Sequence, residues 1–169
     1  MAHNFFDRQY YSEPEKSDIV LGICDPEGES CAYTTTDTSS PDRWCAIIHN
    51  PNKKPIRFTA IDKNMNIQRP NGDLESTCDG MIYASQTREL SFVELKCYHT
   101  GGATASAVNQ LISTLEIFLK SHSYKLFNNR NAYACNPVHP HFKSSYREYS
   151  TEFRKKYHFR LLPQADIYF

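Results

Sequence analysis

Apolar positions recur along this chain in two distinct periods. Short runs rich in β-branched and aromatic residues fall at 18–24, 44–49, 56–61, 77–84 and 91–98, and each predicts a strand. Runs at 132–135 and 159–162 predict two more. Between 103 and 122 the spacing changes: Val108, Leu111, Ile112, Leu115, Phe118 and Leu119 repeat at helical intervals. His99-Thr100-Gly101-Gly102 turns the chain before that helix, and Thr100 or Thr104 is suited to cap it. A second helical stripe spans 142–157, where Phe142, Tyr146, Tyr149, Phe153 and Tyr157 fall close to one side. Stretches 25–43 and 64–73 read as long loops. The expected fold is α/β (α+β): a central mixed sheet with helices packed on it, in a single domain over 1–169.

Two of these strands carry the candidate chemistry. The polar stretch 85–89 between 77–84 and 91–98 reads as a hairpin loop. Strand alternation puts Val93, Leu95 and Cys97 on one face and Phe92, Glu94, Lys96 and Tyr98 on the other. The first set reads as core, to be covered by the 103–122 helix. On the partner strand Asp79, Met81 and Tyr83 share a face. If that face matches the Glu94 face, two carboxylates and an ammonium converge; mutual register is left open by the sequence.

Two carboxylates with a backbone carbonyl suit Mg²⁺ or Mn²⁺, which prefer oxygen ligands and keep several waters. Such a metal polarises a phosphoryl oxygen and lowers the pKa of a bound water. Lys96 is placed to orient that water or to balance charge developing on phosphorus. The plain alternative is that Glu-Leu-Lys is a solvated strand face and Asp79-Gly80 a turn dipeptide.

Asp79, then Glu94-Leu95-Lys96, then Asn109-Gln110-Leu111 on the following helix resemble the PD-(D/E)xK nuclease superfamily. The resemblance covers about a quarter of the chain, roughly 77–120, within a core motif region over 77–136, and implies a restriction-endonuclease-like core. It implies Asp79 and Glu94 as metal ligands with the Leu95 carbonyl as a third, Lys96 as the catalytic lysine, and Gln110 as the glutamine some branches carry. Cys78 stands where the motif's proline often sits. For the acidic residue many members carry upstream, Glu13, Glu15 and Glu75 are the candidates. The implied activity is Mg²⁺- or Mn²⁺-dependent cleavage of nucleic acid, DNA ahead of RNA, in defence or repair. The rival readings are a catalytically inactive module of the same fold that binds nucleic acid or protein, and an unrelated interaction domain with Asp79 and Glu94 merely exposed.

Composition changes the picture in three places. At 169 residues, with 40% hydrophobic and 22% charged positions, the chain is an ordinary folded protein with room for a substantial core. The absence of a membrane-length run or signal pattern leads to an expectation of a cytoplasmic protein, with a homo-oligomer or larger complex as a further partner class. Six cysteines without such a signal make a disulfide framework unexpected, and Cys97 reads as a buried thiol. Cys135-x3-His139-x-His141 has zinc-ligand types, with Cys24, Cys31 and Cys45 available to add to them. Paired knuckles are missing, so a plain loop around Pro137 and Pro140 fits better.

Net charge is zero but unevenly spread. Residues 1–90 carry 9 Lys and Arg against 14 Asp and Glu, a balance of −5; residues 91–169 carry 10 against 5, a balance of +5. Lys143, Arg147 and Arg154 on the second helix are therefore the candidate nucleic-acid contacts, with Lys120, Lys125 and Arg130 in reserve.

Overall fold

The computed structural model describes residues 3–97, 103–136 and 146–169, without the side chains of residues 103, 104 and 146–148. Among the described residues nine strands form two sheets. β1 (Val20–Cys24), β2 (Tyr33–Thr35), β3 (Ala46–His49) and β9 (Asp166–Tyr168) make one, in the order β2-β1-β3-β9. β4 (Arg57–Ala60), β5 (Gly80–Ala84), β6 (Glu89–Leu95), β7 (Asn129–Cys135) and β8 (Arg160–Leu162) make the other, in chain order. β4, β5 and β6 are antiparallel neighbours, whereas β6, β7 and β8 run parallel. The parallel links need crossovers, and two helices lie in them: α1 (Ala103–Ser121) and α2 (Tyr146–Tyr157).

The expected mixed sheet with helices packed on it is what forms, but a second sheet covers its other face. On the helix side, Met81, Leu90, Phe92, Ala132 and Leu161 pack with Val108, Leu111, Leu115 and Phe118 of α1 and Phe153 and Tyr157 of α2. On the opposite side, Phe58, Ile82, Val93, Leu95 and Tyr133 pack with Leu21, Ile23, Ile48 and Ile167 of the smaller sheet. β6 is thus buried on both faces along most of its length. A strand of that kind does not alternate in hydrophobicity, so its pattern does not mark which side faces the helix. Helix α1 covers the Phe92 and Glu94 face, not the Val93 and Leu95 face.

Two further departures have simple causes. The stretch 25–43 contains β2, a three-residue edge strand too short for alternation to register. Tyr149 lies outside the buried stripe of α2 at 50% exposure, so only Phe153 and Tyr157 of the described stripe reach the core. The 99–102 turn, the caps proposed for Thr100 and Thr104, and the positions of Tyr98, Pro137, His139, Pro140, His141 and Phe142 lie outside the described residues, as does the side chain of Tyr146.

Candidate functional site

The register between β5 and β6 pairs Gly80 with Val93 and Met81 with Phe92. Continued by one position, it sets Asp79 across from Glu94, so their side chains rise from the same face of the sheet. That face is the one α1 covers. Gly80 is in the strand and not in a turn: a Cβ there would meet the ring of Phe58 on β4 at 2.5 Å, so glycine leaves room for that ring to pack across β5 beside Asp79.

Asp79, Glu94, Lys96 and Gln110 come together at the C-terminal end of β6. The Lys96 ammonium lies 2.6 Å from Glu94 Oε1 and donates to Gln110 Oε1 at 2.8 Å. Gln110 in turn donates to the Thr77 carbonyl at 3.2 Å, which ties α1 to the segment leading into Asp79. Asp79 Oδ2 accepts from the Leu95 amide at 2.6 Å. The Leu95 N–H therefore points away from β7, and on extended backbone the carbonyl of that residue points the same way.

Burial sets the electrostatics. Glu94 is 1% exposed and Asp79 8%. Desolvation raises the Asp79 pKa to about 7, opposed by the Leu95 amide and Lys96 and reinforced by Asp25 and Asp62. Glu94 is pushed well above the ordinary carboxylate range, first by desolvation and then by Asp79, with Lys96 opposing. Glu94 Oε2 has no hydrogen-bond partner among the described residues. A buried, unpaired carboxylate oxygen is costly unless a cation or proton satisfies it.

Whether these residues fit a divalent cation follows from that inventory. Among the described residues no three His, Cys, Asp or Glu side chains group as metal ligands. Two carboxylates and one carbonyl remain, fewer than a dedicated all-protein cage needs but suited to Mg²⁺, which keeps several of its waters. The orphaned Glu94 oxygen, with the Asp79 carboxyl facing it across the strand pair, fits such an ion.

Three residues of this region were not singled out by sequence reasoning. Asp25 directly follows β1 and Asp62 lies just past β4, and both add negative potential at the carboxylate pair. An acid closing an apolar run was the available signal for each. Thr114 is fully buried, accepts from the Cys78 amide at 2.8 Å and donates to the Gln110 carbonyl at 2.9 Å. It had no signal, because a threonine inside a helix ordinarily back-bonds to its own turn. The upstream candidates have partners of their own: Glu13 is bonded to Thr34 and Lys16, Glu15 sits 3.8 Å from Arg57, and Glu75 pairs with Arg69 and with Ser113 of α1.

Of the candidate nucleic-acid contacts, Arg154 is exposed on α2, while Lys143 and the side chain of Arg147 lie outside the described residues. Arg130 is committed to the fold, donating to the carbonyls of Tyr124, Phe127 and His158. Cys97 is not a thiol: it is bonded to Cys45, with Cα atoms 4.9 Å apart. Cys24, Cys31, Cys78 and Cys135 are free. No described helix is long and apolar enough to cross a membrane.

Neither a family model, a curated protein nor a solved structure matches this chain.

Proposed function

We propose that the chain is a metal-dependent phosphodiesterase acting on nucleic acid, a nuclease of the PD-(D/E)xK kind with a restriction-endonuclease-like core. The observation that carries this reading is the facing pair Asp79 and Glu94, buried beside Lys96 with Glu94 Oε2 unpartnered. Asp79, Glu94 and the Leu95 carbonyl would hold Mg²⁺ or Mn²⁺. When bound, that ion supplies Lewis acidity toward a phosphoryl oxygen and a lowered pKa for water.

The chain's own residues do the rest. Gln110 orients the Lys96 ammonium, and that ammonium faces the negative charge that develops on the phosphate oxygens. In the metal-free protein Asp79, raised to about 7, competes for a proton at neutral pH, so taking up the ion would release that proton. The site also lies at the carboxyl end of the parallel strands, where open α/β sheets take their ligands. Arg154 and Lys155, exposed on the last turns of α2, lie toward the start of β7, the far end of the parallel strands from Lys96, so the phosphates they would hold are ones away from the reacting bond.

The test is cleavage of circular and linear DNA and of RNA with Mg²⁺ or Mn²⁺, then with a chelator. Cleavage is expected only with metal. Lys96→Ala should reduce it about 10²–10³-fold, the usual cost of removing one transition-state charge contact. Metal-independent cleavage, or a fully active Lys96→Ala, contradicts the proposal. The rival reading, an inactive binding module, draws on Lys96 being already paired with Glu94. Nucleic-acid binding without cleavage under any metal would favour it.

A further inference from the structure

We infer that the Cys45–Cys97 disulfide is a redox control on this site, fixing the end of β6 that presents Lys96 when formed and releasing it when reduced. Its consequence for turnover rests on the nuclease reading; its hold on the strand end does not. The β6–β7 ladder ends at Leu95 and Cys135. Past it, the Lys96 amide makes one bond to the Cys135 carbonyl at 2.8 Å, and the disulfide at Cys97 is the next fixed point.

The other end of that tether is rigid. Cys45 is 1% exposed, directly precedes β3, and its amide donates to the Ile23 carbonyl at 2.7 Å. The bond therefore ties the lysine-bearing edge of the large sheet to the small sheet, across 52 positions of chain. A staple for folding is a weaker explanation. Two apolar clusters already surround β6, and four of the six cysteines stay unpaired, unlike a scaffold that depends on disulfides.

Cys97 is half-buried whereas Cys45 is 1% exposed, so reductant approaches from the Cys97 side. A thiolate of a dithiol reductant attacks Cys97 Sγ, and Cys45 Sγ leaves as a thiolate that takes up a proton. The reductant's second thiol then displaces Cys97 and closes its own disulfide. Two electrons and two protons end on the cysteine pair, and the reductant is oxidised by the same amount.

The experiment compares oxidised protein, protein reduced with dithiothreitol, and Cys97→Ser with and without reductant. Amide hydrogen exchange at Leu95 and Lys96 and Mn²⁺-dependent cleavage are both read. Exchange at these two amides should rise several-fold on reduction while that of Phe92 stays unchanged. Cleavage should fall about tenfold, the low end of the effect of removing support behind a metal site. Cys97→Ser should match the reduced form whether or not reductant is present; if that variant does not fold, the oxidised and reduced wild type decide alone. Unchanged exchange at Leu95 and Lys96 overturns the inference, whatever the activity. Altered exchange with no cleavage in either form upholds the hold on the strand end and removes the nuclease reading instead.

Discussion

At the scale of single residues, the pair Asp79 and Glu94 governs how the protein responds to pH. Asp79 rises from 3.8 to about 7 in the fold, so between those values the folded state binds the proton that the unfolded state has released. Stability of the metal-free protein should therefore fall as pH rises from about 4 to about 7. Asp79→Asn should flatten that slope in thermal melts taken across the range; an unchanged slope would mean the carboxyl is not the titrating group. Glu94 shifts in the same direction, so Lys96→Ala, which strands it, should cost more stability at high pH than at low. Thr114 makes a separate claim. Thr114→Val removes the acceptor for the buried Cys78 amide and should cost about 1–3 kcal/mol, whereas Thr114→Ser should recover most of it. Equal denaturation midpoints for the two variants would return Thr114 to ordinary helix packing.

At the scale of elements, α1 joins the core to the site. Leu111, Leu115 and Phe118 pack on the large sheet, while Gln110 and Thr114 hold Lys96 and the segment entering β5. The apolar half of that helix was legible because a 3.6-residue period over 19 residues is hard to mistake. The hairpin of β5 and β6 was legible for similar reasons, and with it the parity that groups Glu94 with Lys96. Which face the helix covers was not legible, since Phe92 and Val93 are equally apolar and both fully buried. Nor was the Cys45–Cys97 bond, which depends on a second sheet that local pattern does not announce. Asp25 and Asp62 were passed over because their relevance comes from tertiary approach to Asp79. Helix α2 carries the docking claim. Replacing Arg154 and Lys155 by alanine should weaken binding of unrelated oligonucleotides alike and lower the salt slope by about 1 per charge removed. An identical slope in filter-binding titrations would place the contact surface elsewhere.

At the scale of the molecule, two sheets enclose the strand that ends in the site. The large sheet's parallel half runs into the cluster, the small sheet backs it, and the helices close the other face. Burying two carboxylates at that junction costs stability unless a cation answers them, and among the described residues one lysine lies within reach for two acids. On the proposed function a divalent ion supplies the remaining positive charge. Calorimetric titration of Mn²⁺ above the Asp79 pKa of about 7 tests it most directly, on wild type and on the Asp79→Ala, Glu94→Ala double variant. Saturable binding of Mn²⁺ by the wild type, lost in the double variant while its circular dichroism stays native, is the expected result. The same isotherm from both proteins, or none from either, would contradict the account.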